Sequence, residues 1–139
     1  MKNLFIFILL NVSAQAQVIH DTMLEAIKAI EAIPYLSFIG KAGERSEWQI
    51  TPAVWRELSV FPFASASRSE PIHRAETQRV ARKHLQWVIS SLKGLGLPET
   101  PHSVGLVWNA GYGTIARRSQ KSRHVSYAQR CENVYCSLP

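Results

Sequence analysis

Glu31 is the position where chemistry would concentrate. Ile19, Met23, Ala26, Ile27 and Ile30 recur at helical spacing, and Glu31 falls four residues after Ile27. Its carboxyl therefore projects beside the apolar stripe rather than into open water. Desolvation disfavours the charged form, so a carboxyl held this way stays protonated toward neutral pH and can give its proton to a leaving group. The following stretch, Tyr35 to Gln49, loses the helical period and is aromatic and glycine-rich. Gly40 and Gly43 give it backbone freedom, and it reads as a loop that walls a ligand site. Glu44 and Glu47 in that loop are further carboxylates that would hold a water in a hydrolytic scheme. The simpler reading makes Glu44 and Arg45 an exposed pair worth about 0–1 kcal/mol, with Glu47 solvated as well. Glu57 and Glu76 fall on polar helix faces.

The elements that must position Glu31 follow from local signals. Asp21 and Thr22 offer a start for a first helix, and Pro34 forces the residue before it out of the helical region, so the helix closes near Ile33. Thr51-Pro52 is an N-cap followed by proline at the first helical position, which predicts a short helix over Pro52 to Leu58. Residues 61–69 lack a period and read as a connector. The longest helix is expected from Pro71 or Ile72 to Leu92, with Ala75, Val80, Leu85, Val88, Ile89 and Leu92 on its apolar side and Gly94 ending it. Thr100-Pro101 starts another that runs into Asn109-Ala110-Gly111. Residues 114–123 read as basic and exposed, and a last helix as starting near Ser122 and ending near Tyr135. Five helices with no alternating strand pattern give an all-α, helix-dominated fold.

The chain has 139 residues, enough for one domain with one core. Residues 1–16 read as a signal peptide: Lys2 is the charged end, Leu4 to Leu10 the apolar core, and Ala14-Gln15-Ala16 a small-x-small cleavage site. The mature domain would be 17–139, exported to the periplasm or cell envelope. No apolar run approaches the roughly 20 residues a spanning helix needs. The net charge of +6 suits an acidic polymer without choosing one. Arg117, Arg118, Lys121 and Arg123 would serve nucleic acid only through salt-sensitive charge contacts, and a charge run is more simply a solvated face. Cys131 and Cys136 can bridge only if the last helix ends near Tyr135. In a regular helix their Cα atoms stand about 8–9 Å apart, beyond the ~7 Å limit. The five histidines show no metal-ligand spacing, and no phosphate-binding Gly-Lys-Ser/Thr loop is present. Neither metal nor cofactor is expected.

Several motifs stand in one order: an acid ending the first helix, Gly40-Lys41-Ala42-Gly43, Ser46-Glu47-Trp48-Gln49-Ile50-Thr51-Pro52, Trp108-Asn109-Ala110-Gly111-Tyr112-Gly113, and Tyr127-Ala128-Gln129-Arg130. Together they resemble the lytic transglycosylases of the soluble (SLT) type, over most of the chain after about residue 20. The resemblance implies a lysozyme-like single domain that cleaves the MurNAc-GlcNAc β-1,4 bond of peptidoglycan without water. A single glutamate, Glu31 by position, protonates the leaving sugar and then takes a proton from the muramic C6 hydroxyl, leaving a 1,6-anhydro product. Gln49 matches the family's cleft glutamine; Asn109 would bind sugar, fix the loop next to the acid or simply cap its helix; Tyr127 matches the family's late tyrosine beside the acid, core packing of its ring being the simpler reading. Glycans present C–H faces and hydroxyl rims, so Tyr35, Trp48, Trp108 and Tyr112 are expected as platforms, while Trp55 and Trp87 are expected in the core. Ala32 stands where the family has serine, Ser46 where it often has glycine, and Tyr112 where it often has proline. The partner implied is the peptidoglycan strand, not nucleic acid, and the protein is expected to be a monomer. A silent wall-binding module and a hydrolytic muramidase are the alternatives.

Overall fold

A computed structural model describes residues 20–31 and 39–139 of the chain. The expected leader, Ala32 and Tyr35 lie outside these residues. Six α-helices are present among the described residues: α1 (20–31), α2 (Pro52–Leu58), α3 (Pro71–Leu92), α4 (Pro101–Ala110), α5 (Tyr112–Ala116) and α6 (Ser122–Ser137). There is no strand among them beyond isolated bridges, so the fold is all-α. None of these helices is long and apolar enough to cross a membrane.

The caps explain the starts. Thr51 accepts from the Val54 amide ahead of Pro52, and Thr100 from the Ser103 amide ahead of Pro101. Each satisfies an amide that a helix start would leave unbonded, and each proline sits where its missing N–H loses nothing. α3 supplies the middle of the core: Val80, Ala81, Leu85 and Val88 are fully buried and Leu92 nearly so. Around them pack Met23, Leu24 and Ile27 of α1, Trp55 of α2, Val104 and Val107 of α4, and Tyr127, Ala128 and Cys131 of α6.

Among helices α2 to α6, α4 and α6 make the most extensive contact. Gly105 is the reason: a Cβ there would lie 2.7 Å from Cys131 Cβ and 3.4 Å from the Ala128 Cα. α6 continues through both cysteines to Ser137, and the thiols are free, Cys131 buried and Cys136 exposed.

Three features depart from expectation. Gly111, at φ 80°, ends α4 and starts α5 in one residue, a turn that needs glycine and that adds a sixth helix. Residues Phe63–Ser67 form a 3-10 turn inside the connector. The third is Trp87, expected in the core but half exposed on α3.

Outside the core, one polar network ties α2 to α3. Glu76 accepts from the Ser59 hydroxyl at 2.6 Å and from Arg79 at 2.7 and 2.8 Å, and Arg79 also donates to the Leu58 carbonyl. These bonds hold the Glu76 pKa down at about 2, the Arg79 contact contributing most. A depressed carboxylate stabilises the fold above its unfolded pKa of 4.5 and loses that contribution as pH falls through the folded value. Glu76→Gln is therefore expected to cost about 1–2 kcal/mol at pH 7, in urea melts. The gap from wild type should close as pH falls from 4.5 toward 2; a pH-independent gap would mean that packing, not charge, is at stake.

Candidate functional site

The loop after α1 is fixed by a small hairpin. Arg45 and Ile50 exchange backbone bonds at 2.9 and 2.7 Å, and Gly40 and Glu44 close the other end. Ser46 has φ 74° and Gln49 φ 50°, both in the left-handed region that favours glycine. The Ser46 position is thus one where the glycine of the resembled family would sit without strain. Ser46 is held there by burial and by its hydroxyl, which accepts from the Trp48 amide.

Alternation along this extended stretch sends neighbours to opposite sides. Arg45 turns away, donating to the Ser67 hydroxyl at 2.7 Å and lying over the Phe63 ring. Glu44 turns inward and accepts from the Ala42 amide, so the expected exposed pair between Glu44 and Arg45 does not form. Gly40 leaves the space in which Gln49 Oε1 and Glu44 Oε2 converge; a side chain there would run into both. The Gln49 amide nitrogen is committed to the Ser46 carbonyl at 2.9 Å, which leaves Oε1 on the side of Glu44.

Trp48 corrects an expectation. Expected as a glycan platform, it is 4 % exposed and donates through Nε1 to the Leu24 carbonyl at 3.1 Å. The ring is a peg that fastens the loop to α1, and no sugar face can reach it. Glu47 pairs with Lys28 at 3.5 Å on the same seam.

Glu31 closes this assembly from α1. Its pKa is raised above the usual carboxylate value, first because burial penalises the charge and then because Glu44 is near; Tyr127 and Arg130 oppose the shift. The Tyr127 phenol is close enough to act on the carboxyl. Yet its hydroxyl is buried without a hydrogen-bond partner of ordinary length and angle among the described residues. The pair is a near approach rather than a bond of ordinary geometry. Burial, then Glu31, pushes the Tyr127 pKa up, so the phenol keeps its proton.

Beyond Tyr127 a groove of about 320 Å³ is lined by Asn109, Arg123, His124, Tyr127 and Arg130. Asn109 stands on α4 one turn past Gly105, so the close helix crossing delivers it to α6. Arg123, Tyr127 and Arg130 are spaced four and three apart and share one face of α6. Arg130 also lies over the Tyr127 ring at 5.9 Å. Glu31 is thus acted on by Glu44, which disfavours its charge, and by Tyr127 and Arg130, which favour it.

The other face of α4 is aromatic. His84 stacks on Trp87 at 5.8 Å and meets Trp108 at 4.7 Å, while Trp87 lies 6.1 Å from Tyr112. Tyr112 is 40 % exposed and Trp87 51 %, so the platform on this side pairs an expected ring with an unexpected one. Burial lowers the His84 pKa to about 4, leaving the ring neutral. Trp108 is half-buried against the core.

The residues missed by sequence reasoning are Arg123, read as part of an exposed basic run, and His124, given no role in the last helix. The signal was the i, i+4, i+7 phase of Arg123, Tyr127 and Arg130 on a helix whose expected start near Ser122 already placed them together. No protein-family model, curated protein or solved structure matches this chain.

Proposed function

We propose that the protein is an exported enzyme of the cell envelope that cleaves the β-1,4 bond between MurNAc and GlcNAc in peptidoglycan, with Glu31 as acid and then base. The supporting observation is one carboxyl: Glu31 follows the buried face of α1, desolvation raises its pKa, and a phenol and a guanidinium act on it. A carboxyl held in that way keeps its proton to higher pH than a solvated one and still has a nearby cation to steady the anion left after transfer.

In the reaction Glu31 gives its proton to the glycosidic oxygen as the bond from muramic C1 to that oxygen breaks. The carboxylate then removes the proton of the muramic C6 hydroxyl, whose oxygen bonds to C1. The proton returns to Glu31, no water is consumed, and the product is a 1,6-anhydro sugar. Tyr127 would hold the carboxyl in line, and Gln49 and Asn109 would bind the acetamido and hydroxyl groups. The mixed donor and acceptor character of an amide suits both.

Glu44 favours a second reading. Its carboxylate is near enough to Glu31 to raise that residue's pKa, and a second carboxylate is what a hydrolase uses to activate water. The two readings differ by one water in the product. Mass spectrometry of fragments released from purified sacculi is expected to give anhydro-muropeptides. Reducing-end products heavier by one water would establish the hydrolase, and sacculus binding with no soluble product would overturn both.

A further inference from the structure

The groove on α6 is lined almost wholly by donors. Arg123 and Arg130 supply two guanidinium groups, and neither makes a salt bridge to a carboxylate among the described residues. Tyr127 is 4 % exposed and its hydroxyl has no partner there. His124, 8 % exposed, sits at the third position of α6 and reaches back to the Lys121 amide, whose nitrogen is 3.0 Å from Nδ1. A backbone N–H can only donate, so Nδ1 is the acceptor and the neutral ring carries its proton on Nε2. Arg123 Nε also approaches Nε2, at 3.3 Å, but neutral imidazole has one acceptor nitrogen and the shorter backbone bond claims it. Burial, with Arg123 and Lys121 adjacent, lowers the His124 pKa and keeps the ring neutral. The Asn109 amide completes the lining, and the first turn of α6 adds the positive end of a 16-residue helix.

We infer that this groove binds a carboxylate on the sugar next to the scissile bond, the free lactyl carboxylate of a muramic residue, so that the protein takes peptide-stripped glycan in preference to peptide-bearing glycan. The inference rests on the glycan-cleaving reading of Glu31. Two exposed guanidiniums without a carboxylate partner and the Nε2–H of His124 line the groove, and an anion with several lone pairs can accept from them together. The groove shares Tyr127 with the acid, so the anion must lie within about one sugar of the bond being cut. A lactyl group on the muramic ring meets that reach. The carboxylates of a stem peptide are many bonds further out, and a stem linked to the lactyl group turns its carboxylate into a neutral amide. A volume of about 320 Å³ admits such a substituent, being roughly that of ten waters.

Isothermal titration of the full chain carrying Glu31→Gln, which prevents turnover, tests this with three probes. These are a GlcNAc-MurNAc tetrasaccharide with free lactyl carboxylates, the same sugar with each carboxylate as its methylamide, and the same sugar bearing stem peptides. The free acid is expected to bind about tenfold tighter than either of the others, the scale of one charge-assisted contact set. That ratio should fall to near unity in Arg123→Gln/Arg130→Gln and partly return in Arg123→Gln/Arg130→Lys. Both arginines are exposed, and circular dichroism checks that the variants remain folded. Equal binding of acid and methylamide overturns the inference and leaves the cleavage reading intact. Tightest binding by the peptide-bearing sugar overturns it in favour of stem carboxylates. Failure of all three to bind overturns the inference and the glycan-cleft reading together.

Discussion

Glu31→Gln is expected to cut release of fragments from sacculi by about 10²–10⁴-fold, the range for losing a positioned proton donor, while making the protein more stable near neutral pH. The two effects share a cause. Folding moves the Glu31 carboxyl to a site where its charge is disfavoured, so its folded pKa lies above the unfolded value of 4.5. The folded state then binds more protons than the unfolded state between those two values. Stability rises as pH falls through the folded pKa and is fully regained below 4.5. Glutamine has the same shape without the charge, so the variant should lead wild type above the folded pKa and converge with it in acid. Urea melts at several pH values read the stability arm, and sacculus digestion reads the activity arm. A variant that is inactive and also less stable at pH 7 would mean that Glu31 has a structural role.

The second large effect is expected at Gly105. Leucine there must push against Cys131 Cβ and the Ala128 backbone, neither of which can rotate aside, so a loss of about 3 kcal/mol is expected. Alanine gains about 1 kcal/mol of helix propensity yet still places a Cβ 2.7 Å from Cys131 Cβ. It should be destabilising by about 1 kcal/mol in net terms. Because Asn109 lies one turn beyond Gly105, the alanine variant should also lose activity in proportion greater than its lost stability. Thermal melts beside digestion rates at a temperature well below unfolding separate the two. An alanine variant as stable and as active as wild type would mean that the helices part without consequence.

The starts of α2 and α4 were legible in the sequence because a threonine cap and the proline after it act within one turn. The long α3 and the apolar face of α1 were legible from their period. What could not be read was set by partners distant in sequence. Trp48 and Trp87 exchanged expected roles because burial of the first depends on a carbonyl 24 residues away, whereas the second lies beside His84 and Tyr112 rather than with the buried Leu85 and Val88. Glu44 turned inward because the hairpin, not the dipeptide, decides the side. Gly111 restarts a helix through one positive φ, a conformation that a glycine permits but does not announce. Around the site, the place of Glu31 beside the apolar face of α1 could be seen in advance, while the expected helix end near Ile33 lies outside the described residues. The groove beyond Tyr127 could not be seen, since it exists only once α4 and α6 are pressed together.

The two thiols of α6 turn this pressing together into something that can be timed. Cys136 is exposed, whereas Cys131 is fully buried, and burial, with Glu31 second, pushes its thiol up to about 12. An alkylating reagent would consume the outer sulfur first and then wait. The slow second addition would proceed only when the crossing at Gly105 breathes apart, so its rate is a clock for how often the wall between α4 and α6 comes undone.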